Sequence, residues 1–368
     1  MTFHRRLLPC LLALTLGACV APAPPPPTFA GTPFYPAGGG HFTVIGDLQG
    51  TLLAERLFGR EDNDPERARL LPEVARTNPA FVVMLGDLVS WGASEHAWQD
   101  FDRHTDALRR MGTPVLAVPG NHDYYGGSRL HQYFARFPQL RDQNWYERRY
   151  GELGMIFLDS NARQLGADRW AAQQRWYQDA LKRFDADPSV LGVLVFLHHA
   201  PLTNSSVVGD NAAVREAFLP DFFQTQKTIG MVTGHAHGYE RFEQCGKAFI
   251  VSAGGGGPRT KLPAHRRHRP EKFMGPAERN FNFVELSLRS SGLRAEVVGL
   301  PKGGQNFCRM EAFDLPWPEH QIAIGHLVDD KRLSGRESLD NCYPALAESE
   351  TPAPSALKCP DVVRTERR

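Results

Sequence analysis

The chain lacks any apolar stretch long enough to cross a bilayer as a mature helix. Its most apolar segment, residues 7–16, falls well short of the ~20 residues that a span needs. It also lacks a charge excess: 42 Lys and Arg face 41 Asp and Glu, for a formal net charge of +1. That balance excludes a global pull toward nucleic acid or an anionic membrane, so charge recognition must be local. Six cysteines contain no CxxC pair, which disfavours a structural zinc site. No internal repeat is visible, so solenoid and propeller architectures are excluded. What remains is ordinary for a soluble globular protein of 368 residues: 42% hydrophobic and 23% charged, enough for one large domain or two small ones.

The N-terminus is built for export. A short basic start (His4, Arg5, Arg6) precedes the apolar run, which ends in Leu16-Gly17-Ala18-Cys19. This is signal-peptide architecture over residues 1–18. The small residues before Cys19 resemble a bacterial lipobox, which implies cleavage there and lipid attachment to the Cys19 thiol. An ordinary signal peptide with a chance cysteine is the alternative. Residues 19–40 carry Pro24 to Pro27 and Gly38 to Gly40, an extended, semi-rigid tether. These features predict an exported bacterial lipoprotein, periplasmic or on the outer membrane, held to the membrane by its lipid; Val20 after the cysteine resembles the outer-membrane-sorted kind. The cysteines that remain, Cys245, Cys308, Cys342 and Cys359, predict two disulfides in an exported chain, with pairing left open. Three of them lie in residues 301–368, read as a C-terminal extension beyond a main domain over 41–300.

From His41 onward, short apolar runs alternate with amphipathic stretches. The runs 41–45, 81–85, 114–118, 155–158, 193–197 and 229–232 predict strands buried on both faces. Helices are predicted over 65–77, 94–111 and 168–184. Strand-helix alternation makes the class α/β. Later runs, 248–252, 282–288 and 293–298, read as consecutive strands of a second sheet. The strands end in Gly46-Asp47, Gly86-Asp87, Gly120-Asn121-His122-Asp123, His198-His199 and Gly234-His235-Ala236-His237. Ligands bind at the carboxyl ends of strands in open α/β sheets. Carboxylate oxygens and imidazole nitrogens suit Fe, Mn or Zn. Two such ions about 3.5–4 Å apart can clamp a phosphoryl group for in-line attack. Any one of these motifs alone is a turn or a surface histidine; all five in this order point to chemistry.

The five blocks resemble those of the calcineurin-like metallophosphoesterases, over about residues 41–298. Gly238-Tyr239-Glu240-Arg241 and the run from Ser252 to Gly257 are most similar to the purple acid phosphatase branch. The resemblance implies a four-layer αββα sandwich of two mixed β-sheets flanked by helices. It implies hydrolysis of phosphate monoesters or diesters at two divalent or trivalent ions (Fe, Mn or Zn), with a metal-bound hydroxide attacking phosphorus. Asp87 would bridge; Asp47 and His237 would hold the first metal; Asn121, His198 and His235 the second. His199 is the alternative to His198, or faces substrate. His122 would protonate the leaving alcohol or bind the phosphoryl group, with Asp123 fixing its tautomer. Tyr124 and Tyr125, next to Asp123, are expected to line the substrate pocket, and Tyr124 and Arg241 to meet the substrate. Two positions depart from the pattern: Gln49 stands where many members have His, and Ser90, then Trp91, stand where purple acid phosphatases carry a ligating Tyr.

Other features are less specific. Arg259, Lys261, His265, Arg266, Arg267, His268, Arg269 and Lys272 form a basic stretch, either a steering loop or a solvated one. Trp145, Tyr146 and Tyr150 read as packing before base stacking. The expected partner is a small phosphorylated substrate, with no specific nucleic acid and no protein partner. Gln49 and Ser90 also admit a second reading: a catalytically weak envelope-interaction lipoprotein that retains the fold.

Overall fold

The computed structural model describes residues 25–29, 40–262, 269–273 and 275–318. The expected signal peptide, Cys19, most of the tether, Cys342, Cys359 and His265 to His268 lie outside the described residues. The elements run β1 (His41–Ile45), α1 (Leu53–Leu57), α2 (Asp64–Arg76), β2 (Val82–Met84), α3 (Glu95–His104), α4 (Asp106–Arg110), β3 (Val115–Ala117) and α5 (His131–Arg136). They continue through β4 (Tyr146–Tyr150), β5 (Leu153–Phe157), α6 (Ala162–Ala186), β6 (Gly192–Leu197), α7 (Ala212–Gln224), β7 (Thr228–Thr233), β8 (Tyr239–Gln244) and β9 (Lys247–Ser252). The last are β10 (Phe281–Arg289), β11 (Gly292–Leu300) and β12 (Cys308–Pro316).

Two mixed sheets result. One has the order β12-β11-β10-β1-β2-β3, the other β4-β5-β6-β7-β9-β8. In the first, β1, β2 and β3 are parallel, while β10 pairs antiparallel to β1. In the second, β5, β6, β7 and β9 are parallel.

Strand alternation explains the layering. Phe42, Val44, Val83, Leu85, Leu116 and Val118 point to the other sheet, where Met155, Phe157, Leu194, Phe196, Val232 and Ile250 meet them. The intervening residues face outward. Ile45, Val82, Met84 and Ala117 pack with Leu70, Val74, Trp98 and Phe101 of α2 and α3. Ile156, Leu158, Val193 and Val195 pack with Tyr177, Leu181, Phe218 and Phe222 of α6 and α7. Both faces of each strand are therefore covered, which is why the runs read as continuously apolar. The expected four-layer αββα sandwich is the observed one.

Three boundaries differ from expectation. The helix expected over 94–111 divides at Thr105, whose hydroxyl donates back to the Phe101 carbonyl at 2.7 Å, a bond that competes with helix continuation. The helix expected over 168–184 begins earlier, at Ala162, and passes through Gly166 at φ 73°. Residues 301–316, assigned to the extension, end in β12, which pairs antiparallel with β11 along the sheet edge. Its inward Met310, Phe313 and Leu315 complete the inter-sheet core.

A buried polar network fixes the loop that leaves β6. Thr203 Oγ1 donates to Glu240 Oε1 at 2.5 Å and the Asn204 amide donates to Glu240 Oε2 at 2.6 Å. Asn204 Nδ2 reaches Glu271, which pairs with Arg279; both side chains of that pair are fully buried. Burial and the neighbouring Glu271 carboxylate push the Glu240 carboxyl up to about 7. The folded chain thus holds a proton that the unfolded chain releases near its ordinary value of 4.5. Stability from this group is complete below that value and is lost as pH rises toward 7. Glu240→Gln should remove this loss. Urea unfolding of wild type should show stability falling between pH 5 and about pH 8, with a shallower fall in the variant, where Asp123 still titrates in the same window.

Candidate metal centre

The parallel strands deliver the polar residues to one edge. Asp47 follows β1, Asp87 follows β2, Asn121 follows β3, His198 follows β6, and His235 and His237 follow β7. Backbone hydrogen bonds sew these loops together. The Asp47 amide donates to the Gly86 carbonyl at 3.0 Å, Gln49 to Asp87 at 3.1 Å, and Gly234 to His198 at 2.9 Å. The glycine run passes directly behind them: Gly255 donates to the Gly46 carbonyl at 2.8 Å and Gly257 to the Asp47 carbonyl at 3.0 Å. A Cβ on Gly255 would stand 2.3 Å from the Gly46 carbonyl oxygen, so only glycine admits this approach.

Four of the site residues have left-handed backbone: Asp47 at φ 61°, Asp87 at 50°, His235 at 72° and His237 at 48°. Asp and His tolerate this region better than most residues. Even so, each such conformation costs on the order of 1–3 kcal/mol and persists only where its surroundings over-determine it.

Two groups of candidate ligands emerge, their donor atoms mutually within 4.8 Å: Asp47, Asp87 and His237, and His198, His199 and His235. In the first, His237 Nδ1–H donates to the Pro258 carbonyl at 2.8 Å, which leaves Nε2 turned inward, 3.5 Å from Asp47 Oδ1. Gln49 lies beside it, with its terminal amide 3.2 Å from His237 Nε2. In the second, His198 Nδ1–H donates to the Leu85 carbonyl at 2.7 Å. Its Nε2 then stands 3.1 Å from Asn121 Oδ1, 3.1 Å from His235 Nδ1 and 3.3 Å from Asp87 Oδ2. His198 therefore meets Asn121, His235 and Asp87 at once. His199 is tied to Ser160 through Nδ1 at 2.8 Å and lies along the His235 ring at 4.4 Å, as a wall of the site.

The electrostatics suit cations. Burial opposes ionisation of Asp87, yet His198, His122 and His235 hold its carboxyl below the usual range. Asp47 is pushed up by burial and by the carboxylates of Asp87 and Asp123, against the pull of His198. His198 resists burial and rises to about 9 beside Asp87 and Asp47; burial and then His198 hold His199 down at about 3. Burial likewise lowers His237 to about 4. His199 and His237 are thus kept neutral, the form able to ligate, whereas His198 is charged against Asp87 and would give up its proton to a cation. Two buried polar atoms of the site, Asp87 Oδ2 and Gln49 Oε1, make no hydrogen bond. Buried acceptors are normally satisfied, and a hard or borderline cation supplies what these two lack. The donor set fits metal binding on both sides of Asp87.

Three expected contacts are not made. His122 Nδ1–H donates to the Ser90 carbonyl at 2.9 Å, so Ser90 and not Asp123 fixes its tautomer. Asp123 instead accepts from the amides of Leu88 at 2.9 Å and Gly120 at 2.8 Å, joining the two loops that carry Asp87 and Asn121. Tyr124 turns away and donates to Asp159 at 2.6 Å. Its neighbour Tyr125 takes the place at the site, accepting from Asn121 Nδ2 at 2.9 Å and lying tilted against the His122 ring at 4.3 Å. Arg241 is committed to Glu311 of β12, with Nε at 3.1 Å, and lies over Phe313. Of the two adjacent tyrosines expected at the pocket, Tyr125 is the one that faces the site. Nothing signals the Ser90, Leu85 and Pro258 carbonyls, because every residue has one.

The less specific features resolve toward structure. Arg259 pairs with Glu61 and Glu278, Arg269 with Asp210, and Lys272 with Glu243. Trp145 and Tyr150 are buried in the core, and Tyr146 stacks on Phe157 at 4.5 Å.

Residues 40–239 match the family model of the calcineurin-like phosphoesterases. The chain is 24% identical over 182 residues to a probable cyclic nucleotide phosphodiesterase of Synechococcus, a match covering 47% of this chain and 64% of that protein. Its fold resembles a purple acid phosphatase from yellow lupin seeds, with TM-score 0.59 and 16% identity over 86% of this chain and 58% of that one. It also resembles a dimetal phosphatase from Danio rerio, with TM-score 0.52 and 17% identity over 75% and 98% of the two chains. The chain thus spans less than two thirds of the first relative in each comparison.

Asn121 Oδ1 stands 3.1 Å from His198 Nε2 while its amide donates to Tyr125, which makes it a candidate ligand with Tyr125 orienting it. Asn121→Ala should weaken binding of the metal beside His198 while leaving the protein folded. Tyr125→Phe, which deprives the Asn121 amide of its acceptor, should weaken it by about 10-fold. Calorimetric titration with Mn2+ measures both; an unchanged affinity in Asn121→Ala would remove Asn121 from the ligand set.

Proposed function

The chain belongs to the calcineurin-like phosphoesterase family, and we propose that it hydrolyses phosphate monoesters or diesters at a dinuclear metal centre to which Asp87 would contribute its carboxylate. The observation that carries this reading is the placement of Asp87 between two ligand groups, with Oδ2 unpartnered and 3.3 Å from His198 Nε2. Asp47, His237 and Gln49 would hold one ion; Asn121, His198 and His235 the other. Bound there, such ions supply charge neutralisation for the phosphoryl oxygens and lower the pKa of water. The chain's own residues do the rest. Asp47, Asp87 and the imidazoles are held by backbone bonds, so little reorganisation is needed as charge develops. His122 acts as the proton donor to the departing alkoxide. Ser90 accepts from its Nδ1–H, so Nε2, 3.9 Å from Asp87 Oδ2, is the atom that delivers the proton.

Gln49 bears on the alternative of a weakly catalytic binding protein. A neutral amide oxygen is a poorer ligand than imidazole for Fe or Zn, and the Gln49 site favours an oxygen-loving ion such as Mn. The amide nevertheless occupies the position beside His237, which supports a working site. Export, lipid attachment at Cys19, membrane association and disulfide stapling of the mature cysteines complete the proposal, which rests for these parts on the sequence alone.

Cys19→Ser protein should turn over p-nitrophenyl phosphate or its bis ester after loading with Mn, Fe or Zn, and lose that activity on chelation. His122→Asn should lower kcat by about 100-fold or more. No turnover of either ester by protein with two ions bound would end the hydrolytic reading. In cells, Cys19→Ser should move the protein from the membrane to the soluble fraction; unchanged fractionation would contradict the anchor.

A further inference from the structure

The Pro258 carbonyl that fixes the His237 tautomer has a second donor. Arg60 Nη2 donates to the same oxygen at 2.7 Å, beside the 2.8 Å bond from His237 Nδ1. A carbonyl oxygen has two lone pairs. One is taken here by an imidazole and the other by a guanidinium. Proline has no amide hydrogen, so residue 258 cannot anchor itself through its own N–H, and its support must come from elsewhere in the chain.

That support is the turn between α1 and α2, residues 60–63, which grips three successive residues. Asn63 Nδ2 donates to the Gly257 carbonyl at 3.0 Å, and Arg60 donates to Pro258. Glu61 accepts from Arg259, from its amide at 2.9 Å and its Nε at 2.8 Å. Asn63 is buried, and its Oδ1 accepts from Lys302 at 3.0 Å. The same turn reaches the other neighbour of the ion expected at Asp47 and His237. Thr51, two residues past Gln49, donates its hydroxyl to the Glu61 carbonyl at 2.7 Å. Gln49 and His237 thus share one support. The turn continues into α2, whose first amides it helps to satisfy; α1, none of whose residues is buried, adds no packing.

Arg60 acts on the site in two opposed ways. Its charge repels a cation, and its bond holds the carbonyl that orients the ligand. The guanidinium is half-buried, so water screens its charge. The hydrogen-bonded path from it to His237 Nε2 also runs through the Pro258 carbonyl and the whole imidazole ring. A hydrogen bond from an ionised donor, by contrast, is about twice as strong as a neutral one. The bond therefore outweighs the repulsion.

We propose that Arg60 is a positioning residue for this half of the metal centre: through Pro258 it holds the imidazole of His237 with Nε2 toward the ion. The inference rests on the proposed dinuclear centre and extends it beyond the ligands. Groups that orient ligating histidines account for about 10–100-fold in metal affinity.

The test uses Cys19→Ser protein freed of metal and titrates Mn2+ by calorimetry. Two binding steps should be resolved, and His237→Ala identifies the relevant one by abolishing it. Arg60→Met keeps an unbranched stem but removes the donor; it should weaken that step about tenfold or more and leave the other unchanged. Arg60→Lys, which can still donate to Pro258, should recover part of the loss. Imidazole nitrogen NMR shifts of the metal-free protein supply a readout that a merely structural role would not move. His237 should be protonated at Nδ1 in the parent and in Arg60→Lys, and should show a share of the Nε2–H tautomer in Arg60→Met. Unchanged Mn2+ affinity in Arg60→Met overturns the proposal, and so does tighter binding, which would mean that the charge outweighs the bond. Equal weakening of both steps with no recovery in Arg60→Lys would mark a general loss of structure and overturn it too. Absence of any Mn2+ binding by the parent protein overturns the dinuclear centre itself, and the role of Arg60 with it.

Discussion

The carboxylate of Asp87 is the group around which the site is arranged. It is buried at the junction of the two sheets, with Oδ1 accepting from the His122 amide at 2.7 Å and Oδ2 facing His198. Ionised carboxylate at such depth is costly unless charge or hydrogen bonds compensate. The surrounding imidazoles provide part of that compensation and a cation would provide the rest. The same crowding pushes Asp47 up and Asp123 to about 8, burial first and Asp87 second for Asp123. Ligand affinity and the folded stability of the metal-free protein therefore draw on the same charges.

That arrangement depends on the loops as much as on the side chains. Left-handed backbone at Asp47, Asp87, His235 and His237 turns each side chain sharply back toward the strand ends. The strain is borne by the bonds between loops and by the two outer helical layers, which hold the strands rigid from both sides. The glycine run after β9 is part of this frame. The amides of Gly255 and Gly257 donate to the Gly46 and Asp47 carbonyls. Asp123 has a comparable part, tying the β2 and β3 loops from beneath.

The polar network under the loop after β6 extends the same logic outward. Glu240, Glu271 and Arg279 are buried together, and Thr203 and Asn204 complete their bonds. A buried ion pair of this kind is weak support for stability but holds its partners in one arrangement. Here it fixes the segment that begins at His199, one residue past the candidate ligand His198. The described members of the basic stretch are used likewise, as partners of Glu61, Glu278, Asp210 and Glu243.

The sequence by itself determined the layers and the ligand types. Alternation within β1, β2, β5 and β6 dictates which side chains face the other sheet, and the polar residues that close these strands can only lie at their carboxyl ends. Periodicity and strand-end chemistry are local properties, so they are legible one segment at a time. What only the tertiary structure decided involves groups that meet across the chain. Arg241 looks available beside His237 in the sequence, but β12 brings Glu311 to it. Tyr124 and Tyr125 are adjacent and alike; the positions of Asp159 and Asn121 decide which one faces the site. The carbonyls of Leu85, Ser90 and Pro258 set three histidine tautomers without any contribution from side-chain identity. Backbone acceptors are the same at every position, so which of them matters is settled by where the fold leaves them.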